Sequence, residues 1–395
     1  MGANPPGDVH QIGLAPPVMP LAPMGAARAL EGQLRRRFDQ HLEDPGTYRR
    51  RALEECAAFP EGDLLPFVFP VLGYANDALG HPGRIGAARE KVATLIEAAL
   101  PSVIGRVRPP GGRLERLEDY GRQGVYLGQT ALALGCYRLV GGDDRFEAVH
   151  SRIADVLHEA LVAAKGGQLW SFPDVTWPFD TVPCLLALRL HDAQRGSMRS
   201  SEAIARHLQW VQEHATDPVL KLPYSQLADA PGGEPTAPRG CDLGYRIFLL
   251  AHLDAAYARG TYDAFRRHFW IDRGFLAGFA EWPHGQELGE DADSGPVVLG
   301  MGLAATGFGI GAALCMRDGW RLGRLLMELA TAKTIFPVLR PVLKERYPYD
   351  GRYVTGSLMG DAAIFAMIGW TPWGLGARAS TCSSPRPRRA ARARL

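Results

Sequence analysis

The run Gly124-Val125-Tyr126-Leu127-Gly128-Gln129-Thr130-Ala131-Leu132-Ala133-Leu134-Gly135-Cys136-Tyr137-Arg138-Leu139-Val140 is apolar or small on nearly every face. Arg138 is its one charge. A helix with no polar stripe must be covered all round by other protein. The run ends at Gly141-Gly142-Asp143-Asp144, a turn, and Arg145–Ala164 follows with charge confined to one side. Together they read as a hairpin: one buried helix, then one amphipathic helix folded back over it.

The same pair recurs along the chain. Buried helices are expected at roughly Leu64–Leu79, Gly124–Val140, Phe179–Asp192, Asp242–Ala258, Gly295–Met316 and Thr355–Trp370. Their centres repeat about every 55 to 63 residues, the length of one helical hairpin with its loops. One-sided helices fall between them at Ile85–Leu100, Arg145–Ala164, Ser200–His214, Tyr262–Phe269 and Trp320–Ala332. Six inner and five outer helices leave one outer position open. The segment Ala26–His41 with Tyr48–Ala58 is charged on one side and is expected to fill it. Closing a ring leaves no apolar end exposed, whereas an open solenoid leaves two. The fold read from the sequence is all-α: an (α/α)6 toroid of six helical hairpins over residues 26–373. A Pro-rich tail (1–25) and an Arg-rich tail (374–395) are expected to be disordered.

Composition agrees with a large globular core. Of 395 residues, 46% are apolar and 22% charged, which excludes global disorder. Lys and Arg total 44 against 42 Asp and Glu, which argues against a nucleic-acid surface. Arg378, Arg386, Arg388, Arg389, Arg392 and Arg394 account for that excess, so the body is neutral to mildly acidic. Six cysteines (Cys56, Cys136, Cys184, Cys241, Cys315, Cys382) form no CxxC pair, so neither a disulfide framework nor a zinc module is expected. Met1–Pro23 lacks a basic n-region followed by an apolar stretch, and a cytoplasmic protein is expected. Ser294–Met316 is uncharged and long enough to span a bilayer, but its many glycines favour a helix buried in protein over a membrane span.

The loops that enter the inner helices are rich in aromatics and carboxylates. They include Glu118-Asp119-Tyr120-Gly121, Trp170 through Asp180, Arg239-Gly240-Cys241-Asp242, Glu281-Trp282-Pro283-His284 through Asp293, and Tyr347-Pro348-Tyr349-Asp350. In a toroid all inner helices enter at one mouth, so these loops converge. Any single acid there has a plain alternative as an N-cap; their convergence is the functional signal. Asp180, among Trp170, Phe172, Trp177 and Phe179, is read as a catalytic acid or base, its pKa raised by burial. Asp293 or Asp291 is its expected partner. Asp174 is a further catalytic candidate, although its place after Pro173 also suits a turn. Capping explains one of Glu290, Asp291 and Asp293 but not all three; a cation there lacks further ligands at the right spacing, so no metal is expected. Tyr126, Gln129, Trp170, Ser171, Trp177, Asp242, Tyr245, Trp282, His284 and Asp291 are expected to bind a small-molecule substrate. His158, His191 and His252 read as core or rim residues. No G-x-S-x-G elbow, P-loop or HExxH pattern occurs, and Gly307-Phe308-Gly309-Ile310-Gly311 lacks the βαβ context of a dinucleotide loop.

Tyr126-Leu127-Gly128-Gln129 through Cys136–Val140, Asp144–His150, Ser171-Phe172-Pro173-Asp174 through Asp180, Leu185–Asp192 and Glu290-Asp291-Ala292-Asp293-Ser294-Gly295 together resemble the linalool dehydratase/isomerase family. The resemblance spans about residues 64 to 316. It implies an (α/α)6 barrel, a cofactor-free lyase or isomerase acting on a small terpenoid alcohol, and a homo-oligomer in which a neighbouring subunit helps close the cavity. This chain departs from the family at three positions: Gln129 stands where the family has histidine, and Ser171 and Asp180 where it has cysteines. The leading expectation is therefore lyase or isomerase chemistry run by carboxylates on an apolar alcohol. Alternatives are a glycoside hydrolase-like enzyme, which needs two carboxylates across the cleavage point, and a non-catalytic binding toroid.

Overall fold

A helix that is apolar all round needs neighbours on both flanks, and a set of six satisfies that need by closing on itself. The computed structural model describes residues 21–228, 234–343 and 350–375. Among them the inner helices are α3 (Leu65–Gly80), α5 (Gly124–Leu139), α7 (Pro178–Gln194), α9 (Gly240–Leu253), α11 (Leu303–Cys315) and α13 (Leu358–Ile368). Each packs on the next, and α13 packs on α3, so the ring is closed. The outer helices are α4 (Ile85–Val107), α6 (Glu147–Ala163), α8 (Ser201–His214), α10 (Ala255–Phe269) and α12 (Gly319–Leu343). The sixth outer position is taken by α1 (Leu21–His41), which lies against α12, α13 and α3, with the short α2 (Pro45–Glu55) beside α4. The chain is an (α/α)6 toroid.

Two expected helices are corrected. The stretch Asp242–Ala258 breaks at Asp254, whose carboxylate accepts from the backbone N–H groups of Ala256 and Tyr257 and so caps α10. The stretch Gly295–Met316 is helical only from Leu303. Ahead of it, β3 (Val297–Val298) pairs antiparallel with β4 (Met301–Gly302) through Leu299 and Gly300, both at positive φ. A second hairpin, β1 (Trp270–Asp272) with β2 (Ala277–Phe279), precedes that loop. Helix α1 starts at Leu21, within the segment expected as an N-terminal tail. Residues 1–20, Tyr347-Pro348-Tyr349, Cys382 and the Arg-rich stretch from residue 376 lie outside the described residues. No helix among the described residues is long and apolar enough to cross a membrane.

The centre of the ring is filled with aromatic rings. Tyr245 stacks on Phe308 at 5.4 Å and lies 5.2 Å from Phe179, 5.4 Å from Phe69 and 6.4 Å from Phe248. Its hydroxyl donates to the Oε1 of buried Gln129 at 3.2 Å. These groups form a floor, and what lies above it is the mouth.

Ring closure depends on a close approach at the α3–α13 seam. A Cβ added to Gly73 would sit 2.5 Å from the ring of Phe365. That ring cannot move aside, being stacked on Phe38 at 5.4 Å and edge-on to Tyr74 at 5.2 Å. Gly73→Val should therefore cost roughly 1–3 kcal/mol by overpacking. In urea unfolding the midpoint should fall with the slope unchanged; an unchanged midpoint would show that the seam tolerates a side chain.

Candidate active site

The inner helices alternate with outer ones, so all six run the same way and their N-termini share one face. Backbone bonds stitch neighbouring entries together: Gly124 N–H to the Trp170 carbonyl at 3.1 Å, Val125 to Ser171 at 3.3 Å, and Gly240 to Glu281 at 2.8 Å. Carboxylates at these entries are thereby drawn toward a common axis.

Asp180 is the third residue of α7, whose first is Pro178. The capping position belongs to Trp177, and no side chain caps this helix, so capping does not explain the aspartate. Its side chain is only partly accessible and is ringed by protein, which raises the carboxyl pKa to about 7. Burial is the main cause; Asp242 and Asp293 push the same way, while the Ser171 hydroxyl and the Arg246 guanidinium oppose it.

Two further carboxylates share this environment. Glu61, in the loop before α3, is raised to about 8 by burial, then by Asp180, Asp293 and Asp63. Among the described residues no cation pairs with it. Asp293, before α11, lies exposed at the lip, yet enough protein surrounds its carboxyl to hold it above the usual range; Asp291 adds to the rise and Arg239 opposes it. Glu61, Asp180 and Asp293 enter from α3, α7 and α11, every second helix of the ring. Three acids from alternate hairpins that repel one another point to a meeting near the axis. Such a cluster titrates as a unit and keeps a proton at neutral pH.

The other polar groups act as a frame. Asp242 and Arg246 form a buried bidentate pair at 2.8 and 3.0 Å. Arg239 bridges fully buried Glu281 at 2.8 Å and Asp291 at 2.7 Å, with Trp282 under its guanidinium. Asp291 in turn accepts from the backbone N–H groups of Asp293 and Ser294, so it shapes the turn that presents Asp293. The segment just ahead of the helix expected from Gly295 is therefore an Asx turn on Asp291. Cys241 is buried with its Sγ 3.0 Å from a Glu281 oxygen, and burial pushes the thiol well up, so it is no nucleophile. Tyr126 donates to Asp63 at 2.6 Å beneath Arg106.

Not every expected residue reaches this cluster. Asp174 is 83% exposed, at a φ of 65°, and pairs with Arg122 at 2.7 Å on the rim, a turn residue placed outside the cluster of acids. His284 is exposed, with Nε2 3.1 Å from the Trp270 carbonyl, away from the acids. Trp282 is tied to the Gly289 carbonyl at 2.7 Å. Trp177 donates its N–H to the Ser171 hydroxyl at 2.9 Å and packs edge-on to Phe172, while Trp170 lines a neighbouring cavity. Gln129 and Tyr245 belong to the floor. Glu61, Arg246 and Glu281 were missed in the sequence. Glu61 had the same signal as the others, an acid just ahead of an inner helix, in Pro60-Glu61-Gly62-Asp63. Among the described residues no group of three or more His, Cys, Asp or Glu is placed to hold a metal ion.

No protein-family model and no curated protein matches the chain. Solved structures do match. One is a family 76 glycoside hydrolase, an alpha-mannanase of Bacteroides thetaiotaomicron, at 11% identity and TM-score 0.48, over 82% of this chain and 94% of that one. Another is a family 76 glycoside hydrolase from a bovine strain of the same species, at 10% identity and TM-score 0.47, over 79% and 69%. Likeness at this level concerns helical architecture and says nothing of substrate. The family expectation is nonetheless corrected: the chain's structural neighbours are glycoside hydrolases, not linalool dehydratase/isomerase. With it goes the expected lyase or isomerase on a terpenoid alcohol. The mouth agrees, since its walls are ionisable where an apolar alcohol would need greasy ones, and Gln129 is spent on Tyr245.

The raised carboxylates leave a mark on stability. A carboxyl that titrates near 4 when unfolded and near 7 when folded binds its proton more tightly in the native state. Native stability then falls as pH rises between those values and is flat above them. Asp180→Asn should thus match the parent at pH 4 and gain stability on the order of a few kcal/mol by pH 8. Thermal melts at the two pH values check this; a variant less stable at pH 8 would mean that the carboxylate is held by favourable bonds.

Proposed function

We propose that the chain is a glycoside hydrolase-type enzyme whose acid and base are carboxylates at the toroid mouth. One observation carries the reading: Glu61, Asp180 and Asp293 enter from alternate hairpins with carboxyls raised by burial, Glu61 further by Asp180 and Asp293, Asp180 by Asp242 and Asp293, and Asp293 by Asp291. Cleaving a glycosidic bond needs one carboxyl protonated, to give its proton to the leaving oxygen. A second must be ionised, to attack the anomeric carbon or activate a water. A cluster that retains a proton near neutral pH supplies both forms at once. Glu61, raised the furthest, and Asp180 hold the proton. Asp293, at the lip and beside Arg239, is the ionised partner.

Leaving-group dependence separates the roles. Each of Glu61→Gln, Asp180→Asn and Asp293→Asn is expected to lower turnover on a glycan by roughly 10²–10⁴. On an aryl glycoside whose phenol departs without help, the variant lacking the acid should regain most of its rate, and Asp293→Asn should not. A filled centre also suits a non-catalytic toroid, and that reading forecasts no hydrolysis by the parent on any glycoside.

The acid should also set the alkaline limb of the pH profile. With Glu61 raised to about 8 and Asp180 to about 7, kcat/KM is expected to fall as pH passes through that range, where the proton is lost. An activity that keeps rising above pH 9 would contradict protonated carboxyl catalysis.

A further inference from the structure

Beside the carboxylate cluster lies a separate cavity of about 610 Å³. Its walls include Tyr120, Arg122, Lys165, Gln168, Trp170 and Trp210. The aromatics are held in place. Trp170 donates its backbone N–H to the Tyr120 hydroxyl at 3.3 Å and carries Arg122 4.9 Å above its ring. Trp210 lies against Gly166, where a Cβ would come within 2.2 Å of the indole, and stacks on His214 with ring planes 4° apart. The backbone bond from Leu227 N–H to the Thr176 carbonyl, 3.1 Å, ties one wall to the mouth loop.

The electrostatics of this cavity oppose those of the mouth. Its lining contains two cations, Arg122 and Lys165, and no carboxylate. Arg122 has a partner in Asp174, but that pair is in water, with the Asp174 side chain 83% exposed, so a ligand can compete for the guanidinium. Among the described residues Lys165 makes no ion pair. The cavity adjoins the acids: Ser171, next in sequence to Trp170, is the hydroxyl partner of Asp180, and Gln168 donates to Thr181 at 3.0 Å.

We propose that this cavity is a subsite for an acidic sugar: a uronate sits against Trp170 and Trp210 while its carboxylate meets Lys165 and Arg122. This rests on the proposed glycoside hydrolase reading and gives it a substrate class, glycans bearing uronic acid a unit or more from the bond that is cleaved. The chemistry fits the walls. The indoles give a pyranose apolar contact, a few polar groups fix its orientation, and a guanidinium with an ammonium selects the carboxylate. Neutral sugars would meet the same indoles but leave both cations unused.

The test is a binding titration on full-length Asp180→Asn, whose impaired turnover leaves the ligand whole. The probes are tetrasaccharides of galacturonate, glucuronate and mannuronate, each beside its methyl ester, followed by tryptophan fluorescence. At least one acid form should give saturable binding about tenfold tighter than its ester, weakening as salt rises. Trp210→Ala should abolish it, and Lys165→Gln should weaken the acid form about tenfold while leaving the ester unchanged. The inference is overturned if none of the three acids binds saturably, or if ester and acid bind alike and Lys165→Gln changes nothing. Circular dichroism of each variant excludes misfolding as the cause of lost binding. Should binding fail while the parent still cleaves neutral glycosides, only the subsite is lost. If binding holds and no glycoside is cleaved, the hydrolase reading falls and the sugar site stands.

Discussion

Burial of six helices that have no polar side is the constraint from which the rest follows. Such helices are stable only when flanked on both sides and capped outside by amphipathic partners. Here they close a ring sealed where α13 meets α3, with Phe365 seated over Gly73. Closure makes the inner helices parallel, and parallel helices place six N-termini on one face. The candidate site is thus a consequence of packing: whatever the entry loops carry is brought together.

What they carry is mutually repulsive. Asp242 and Asp291 are neutralised by Arg246 and Arg239, and Asp63 by Tyr126 and Arg106. Glu61, Asp180 and Asp293 have no such cation in contact among the described residues, and burial raises all three. A fold selected for stability alone gains nothing from ionisable groups crowded in this way, because each titrates at a cost to the native state. Strained electrostatics beside a neutralised frame are what acid–base chemistry requires.

Much of this was legible in the sequence. The 17-residue run from Gly124 to Val140 and its repeats carry the ring, since a helix with no polar stripe leaves no alternative to burial. The filling of the sixth outer position by α1 was readable from its one-sided charge. Other features were hidden for physical reasons. Asp254 ends α9 in mid-pattern because a side-chain cap outweighs continuing apolar periodicity. The glycines ahead of Leu303 serve a β-turn that hydrophobicity does not distinguish from a buried helix. Asp180 and Asp293 stand out by their loops, whereas Glu61 sits in a short loop whose one aromatic is Phe59, a much weaker signal. Asp174 has the same neighbours as Asp180 in sequence and the opposite environment in space, and only its backbone turn decides which way it faces. The family resemblance rested on shared short motifs, which report how helices pack more than what a mouth does.

Coupling among the mouth carboxylates is the central claim, and site-resolved carbon-13 titration of the aspartate and glutamate carboxyls tests it most directly. The account predicts midpoints near 7 for Asp180 and near 8 for Glu61. It also predicts that Asp180→Asn lowers the Glu61 midpoint, because the charge that repels a second ionisation is gone. Midpoints near 4 for both residues in the parent, with that of Glu61 unchanged by the substitution, would contradict it.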